Sequence, residues 1–191
     1  MTKRSSQLSS ERRRQWWRRL RRPALLGTLR RLTPLSDEWG FDRGTPVDRY
    51  YIERFLARCR QDIQGRVLEI RDGAYTQRFG ANVAALDILD VNPDNHQATI
   101  IADLTAADAV ASDQYDCVLL TQTLQFIYDT RAALSHTHRI LRPGGVLLAS
   151  VPSVSRIAPR YGLQTDFWRF TAASCAELFG SIFGCGQVTI E

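Results

Sequence analysis

LRPGGVLLASVP, Leu141–Pro152, is the stretch from which the fold is read. Its Pro-Gly-Gly turn cannot continue a helix, and it opens onto Val146–Val151, apolar except for Ser150, which reads as a buried strand. Just upstream, Arg131–Leu141 has helical spacing, so the chain passes from helix through a tight turn into a strand. Outward in both directions the pattern repeats. Val67–Ile70, Val83–Leu86, Thr99–Ala102 and Cys117–Thr121 read as further strands, and Ala172–Phe179 as a late helix. Within residues 48–60, Tyr51, Ile52, Phe55, Leu56 and Cys59 recur at spacings of three and four, which predicts an amphipathic helix packed on the downstream part of the chain. Alternating strands and helices imply an α/β fold with a doubly wound, mainly parallel sheet. Such sheets bind ligands beyond the carboxyl ends of their strands, where the strand order reverses.

The chain has 191 residues, 24% charged and 44% hydrophobic, enough for one domain with a real core. Its net charge of +5 averages two unlike segments. Residues 1–35 hold eleven basic groups and only Glu11, whereas the remaining residues hold 14 basic and 19 acidic side chains. We therefore divide the chain into a basic Arg/Trp-rich N-terminal tail, 1–34, and a domain, 35–191. A uniformly basic nucleic-acid-binding domain is excluded by the acidic body. In the tail, Trp16, Trp17 and Leu20 interleave with arginines, a pattern suited to an anionic lipid surface or a partner protein, with nucleic acid disfavoured. Cys59, Cys117, Cys175 and Cys185 form no CxxC pair, so thiols in a reducing cytoplasm are expected, with the tail able to rest at a membrane periphery. No apolar run approaches the roughly 20 residues of a membrane span.

The first strand ends in VLEIRDGAY, Val67–Tyr75, an acid followed by a Gly-containing turn. Asp87 follows Glu69 by 18 residues and is read as closing the second strand, and Asp103-Leu104 closes the third. YDCVLLTQTLQFIYD, Tyr115–Asp129, supplies a fourth strand and the loop beyond it. In this order the motifs resemble those of class I S-adenosylmethionine-dependent methyltransferases, over roughly residues 37–191. That family's first strand typically ends in an acid followed by GxGxG. Here Arg71, Gly73 and Tyr75 occupy the glycine positions, and only Gly73 is glycine.

The resemblance implies S-adenosyl-L-methionine as cofactor, held by Glu69, Arg71, Gly73, Asp87, Asp103, Thr121 and Gln122. Alternatives stay open at several positions. Glu69 binds ligand or caps the turn. Asp87 takes the ribose hydroxyls unless Asp90 does, and Asp103 contacts adenine or serves as a helix N-cap. Arg71 either pairs with the methionine carboxylate or blocks it, and its side chain is strained if the turn needs positive φ. The resemblance further implies a final antiparallel strand beside the fifth. After the β-like run Gln187–Glu191 no sequence remains for it, so a sheet lacking that strand, in a C-terminally truncated chain, is expected.

For the methyl acceptor, the loop after the fifth strand offers Arg156, Trp168 and Arg169 as substrate contacts and Asp166 and Tyr161 as candidate bases, with His96 a weaker one. DFWRFT, Asp166–Thr171, resembles a DxWRFT signature of methyltransferases found beside glycosyltransferases, which implies a small or glycosylated acceptor. Alternatively, its aromatic residues belong to the core, with Thr171 capping the last helix. His136 and His138, two apart on a helix, face different ways, and no metal site is expected. Two other functions remain open: a non-catalytic binding or scaffold protein with this fold, and an RNA methyltransferase using the basic tail. The nicotinamide chemistry of short-chain dehydrogenases is excluded, because Lys3 is the sole lysine and no Tyr-x-x-x-Lys pair exists.

Overall fold

The computed structural model describes Ser36, residues 40–155, Ile157 and residues 165–191. The basic tail, Arg156 and Tyr161 lie outside the described residues. The chain divides into two compact units, Met1–Arg54 and Phe55–Glu191. In the first, Gly40 adopts φ 92° and its carbonyl accepts from the Arg43 amide, while Ser36 pairs with Asp42.

The first helix, α1, runs Val47–Arg58. Ile52 and Leu56 on it are buried, but Tyr51 is 64% exposed, so the apolar stripe is narrower than its spacing predicts.

The second unit holds five parallel strands: β1 Gly65–Ile70, β2 Val83–Asp90, β3 Ile100–Ile101, β4 Tyr115–Thr121 and β5 Leu141–Ser150. Their spatial order is β3-β2-β1-β4-β5, each neighbour parallel, as a doubly wound fold requires. The order reverses between β1 and β4, and a ligand crevice is expected above their carboxyl ends. Among the described residues no antiparallel strand joins the sheet, and Val188–Ile190 form no strand despite their β-like composition.

Helix α2, Ala74–Phe79, follows β1 and is absent from the sequence reading, being too short to show a period. Helix α3, Thr130–Ile140, lies one residue earlier than the expected Arg131–Leu141, and α4, Ala172–Phe183, runs four residues past the expected Phe179. Both start on side-chain caps: Asp129 accepts from the Ala132 amide at 2.9 Å, and Thr171 and Ser174 form a reciprocal capping box. Each cap is worth about 1 kcal/mol. The core joins Leu68, Leu89, Val118 and Leu120 from the strands to Ala133, Leu134 and Ile140 of α3 and Cys175 of α4. Strand alternation puts Val67, Glu69, Cys117 and Leu119, also buried, on the opposite face.

The LRPGG turn sits within β5 as an interruption of its ladder. Tyr115 pairs with Leu141 but Cys117 with Val146, so the residues between bulge outward. Gly144 adopts φ 81°, and a Cβ on Gly145 would come within 2.9 Å of the Tyr115 carbonyl oxygen. Both glycines are structural, one for conformation and one for close approach.

Candidate functional site

The crevice expected at the point of reversal is bordered by the turns that leave β1, β2 and β4. The first residue after β1, Arg71, adopts φ 75°, and the first after β4, Gln122, adopts φ 48°. These are left-handed conformations at non-glycine residues, each disfavoured by about 1 to 2 kcal/mol, and such outliers gather at functional sites. The β1 turn therefore keeps the backbone path of a glycine turn while carrying an arginine. Its amide donates to the Leu89 carbonyl at 2.9 Å. Gly73 completes the turn at the start of α2, where a Cβ would fall 2.6 Å from the Leu86 side chain.

Glu69 lies under this turn, 2% exposed. Its Oε1 accepts from the Tyr75 amide at 3.0 Å and its Oε2 from the Thr76 amide at 2.8 Å. Both amides belong to the first turn of α2 and have no helical partner of their own. Burial pushes the Glu69 carboxyl above its ordinary pKa, against the pull of the Thr76 and Tyr75 hydrogen bonds.

At β2 the strand end is corrected. The strand runs on to Asp90, and Asp87 sits within it, beside Leu68 of β1. The Asp87 carboxylate is engaged by Arg66 (2.8 and 2.9 Å), the Tyr115 hydroxyl (3.0 Å) and Thr99 (3.3 Å). Desolvation raises its pKa, but the bonds to Arg66, Tyr115 and Thr99 and the Arg66 charge outweigh it, leaving the group below the ordinary value. Burial and the Asp87 charge push the Tyr115 phenol up to about 12. The apolar run ending at Leu86 hid the continuation, because Ile88 and Leu89 are the strand's buried residues.

Asp90 instead stands at the rim, one oxygen accepting from the Asn92 amide. Asn95, which the sequence reading missed, donates 2.6 Å hydrogen bonds both to Asp90 Oδ2 and to the Arg71 carbonyl, tying the β1 turn to the end of β2. Its signal was the NPDN run, whose side chains fold back on neighbouring amides. His96 is exposed in this same loop. Asp103 follows β3 and caps a short 3-10 turn, its Oδ1 accepting from the Thr105 amide and hydroxyl, each at 2.8 Å.

Thr121 ends β4, and the Gln122 amide donates to Ser150 of β5 at 2.8 Å. Gln125, 6% exposed, donates from Nε2 to the Gln122 carbonyl at 2.9 Å. Among the described residues, Gln125 Oε1 and Ser150 Oγ are buried without a hydrogen-bond partner.

The DFWRFT segment docks on this loop. The amides of Phe167 and Trp168 both donate to the Gln125 carbonyl, at 2.8 and 3.3 Å. The Trp168 indole N–H donates to the carbonyls of Ile127 and Tyr128. Asp166 and Arg169 form a two-pronged ion pair, 2.6 and 2.9 Å, with the Asp166 side chain 2% exposed. Phe170 is core and Thr171 caps α4, while Phe167 and Trp168 remain 43% and 39% exposed.

Residues 42–180 match a family described as a methyltransferase domain. Among solved structures, the chain is similar to a methyltransferase in complex with the Trm112 activator from Haloferax volcanii, described there as putative (TM-score 0.54, 17% identity, covering 71% of this chain and 70% of that one). It is also similar to a SAM-dependent methyltransferase from Archaeoglobus fulgidus (0.53, 13%, 70% and 68%) and to the [4+2]-cyclase SpnF (0.51, 15%, 68% and 56%). These likenesses are of fold. No curated protein sequence matches the chain. With the family's domain matched across most of its length, on a parallel sheet whose order reverses between β1 and β4, the chain belongs to the S-adenosylmethionine-dependent methyltransferases of Rossmann-like fold.

Proposed function

We propose that the protein transfers a methyl group from S-adenosylmethionine to a small or glycosylated acceptor. The observation that carries this is the β1 turn: Arg71 holds the left-handed backbone that a glycine turn provides, fixed by the Leu89 and Asn95 hydrogen bonds. The buried, unpartnered Ser150 Oγ, on the residue whose carbonyl takes the Gln122 amide, supplies a group of the kind a bound polar ligand would engage. These residues fit the cofactor.

In this reading the ribose contact is assigned to Asp90, at the end of β2, rather than to Asp87, whose carboxylate is already held by Arg66, Tyr115 and Thr99. Glu69 positions α2 and the turn through its two amide bonds. Arg71 is exposed and long enough to pair with the methionine carboxylate. Asp103 borders the adenine side, and Thr121 and Gln122 the methionine side. When bound, the cofactor supplies an electrophilic methyl on a sulfonium.

The chain's own contribution is alignment, which can lower a barrier by roughly 7 to 11 kcal/mol when the reactants are well oriented. The locked Asp166–Arg169 pair favours Asp166 as a brace for the segment over Asp166 as a base. Arg169 is thereby committed to the same brace.

Isothermal titration with S-adenosylhomocysteine tests the reading on wild type and Arg71→Gly. Binding by wild type, weakened several-fold in Arg71→Gly, is expected. No binding by a folded wild type, with binding restored by the glycine, would show that Arg71 blocks the site and would favour a non-catalytic scaffold.

A further inference from the structure

Three exposed aromatic side chains meet on the loops that follow β4 and β5, at the carboxyl ends of the strands: Tyr128, Phe167 and Trp168, exposed by 71%, 43% and 39%. Tyr128 meets Phe167 edge to face at 5.4 Å between ring centroids and meets Trp168 at 5.9 Å with planes tilted by 31°. They come from two segments far apart in sequence, the loop after β4 and the DFWRFT segment. What brings them together is polar: the Gln125 carbonyl receives the Phe167 and Trp168 amides, and the Ile127 and Tyr128 carbonyls receive the indole N–H.

Two physical points separate this cluster from a stray apolar surface. The one polar atom of the indole is satisfied inward, so what Trp168 presents outward is hydrocarbon ring. The two segments that carry the rings are joined by backbone hydrogen bonds, and an aromatic side chain binds with little loss of conformational freedom. A solvent-facing cluster of this kind, fixed at the mouth of a site, marks binding rather than packing. Gln125, whose carbonyl takes the Phe167 and Trp168 amides, also carries the buried, unpartnered Oε1, an acceptor for a hydroxyl or amine hydrogen.

We propose that Tyr128, Phe167 and Trp168 form the acceptor platform, which takes a molecule with a flat apolar ring face, sugar or aromatic, with a hydroxyl or amine hydrogen-bonded to Gln125 Oε1. This rests on the methyltransferase reading of the same crevice. It assigns the DFWRFT aromatic pair a role that the core does not use, and it adds Tyr128 and Gln125, neither of which the motif contains.

The test is saturation-transfer NMR on the full chain with S-adenosylhomocysteine present. The probes are methyl β-D-glucopyranoside, 4-nitrophenol and 4-nitrophenyl β-D-glucopyranoside. Ring-proton saturation from at least one probe is expected in wild type, reduced about five-fold in Tyr128→Ala and Phe167→Ala, with S-adenosylhomocysteine affinity within about two-fold of wild type. The first two probes distinguish a sugar face from an aromatic one. Trp168→Phe, which keeps a ring but loses the indole anchor, should weaken the signal less than Tyr128→Ala.

Equal signals in wild type and both alanine variants overturn the platform, as does the absence of any signal in a wild type that binds S-adenosylhomocysteine. Ring-dependent signals in a protein that fails to bind S-adenosylhomocysteine would uphold the platform and overturn the methyltransferase reading instead.

Discussion

The amino and carboxyl sides of the same sheet spend their polar groups differently. On the amino side, a network of polar groups joins the strands. Arg66 reaches Asp87 and Gln114, Tyr115 reaches Asp87, and Asp116 takes both the Arg66 amide and the Arg142 guanidinium. These bonds staple β1, β2, β4 and β5 together. On the carboxyl side, Arg71 and Gln122 stand in left-handed conformations, and Thr76 Oγ1, Gln125 Oε1 and Ser150 Oγ are buried without a partner among the described residues, against Asp113 (φ 57°) and Arg139 Nε on the amino side. The larger share of strain and of unmet hydrogen bonds thus falls on the carboxyl side, where a ligand can answer them. Glu69 is the carboxyl side's exception, a fully engaged buried carboxylate that holds the strained turn in place.

The largest effect is expected at that exception. Glu69→Ala strands two buried amides, and should destabilise the protein by about 3 kcal/mol in urea unfolding while abolishing S-adenosylhomocysteine binding. A variant that loses stability but binds normally would show that the turn stands without its brace. On the amino side, Asp87→Asn should cost about 2 kcal/mol of stability, less than a fully buried ion pair because Arg66 reaches solvent, with cofactor affinity unchanged. Lost affinity there would break the division between the two sides and restore Asp87 to the ribose.

The same variant has a pH signature. Asp87 sits below its ordinary pKa when folded, so its stabilisation is complete above the unfolded value of about 4 and is lost as pH falls through the folded value. Wild type should therefore lose more stability than Asp87→Asn on acidification below pH 4. Glu69, shifted upward, works in the other direction: its contribution declines as pH rises from the ordinary glutamate value through the folded one.

The smallest effect is Gln122→Gly. Relief of the left-handed backbone is offset by the added freedom of glycine in the unfolded chain, so stability should shift by no more than about 1 kcal/mol. A larger loss would mean that the Gln122 side chain is packed as tightly as the amino side, and that the rim stores little strain.

The alternation of strands and helices was legible from the apolar runs, because each buried parallel strand must be nearly continuous in hydrophobic residues. Tyr115 and Gly145 show where that legibility stops: the glycine pair announces a turn, but the ladder's jump from Leu141 to Val146 depends on which strand lies alongside. The site was legible in outline for a similar reason. A strand end carries its acid and its turn within a few residues, so Glu69, Arg71 and Gly73 could be placed at the end of β1 from local sequence.

What no local pattern could reveal is how each polar group is spent. Asp87 and Asp90 are chemically identical and three residues apart, and only the neighbours on β1 and β4 decide that one is a staple and the other stands at the rim. Likewise the Asp166 carboxylate reads as a base until Arg169 closes on it, and Tyr128 reads as a loop residue until the DFWRFT segment arrives beside it. The sequence alone determined the periodicities, and with them the layers and the strand ends that bear the chemistry. The tertiary structure decided the partners, because a hydrogen bond or ion pair is a property of two groups in space and is written in neither residue's own stretch of chain.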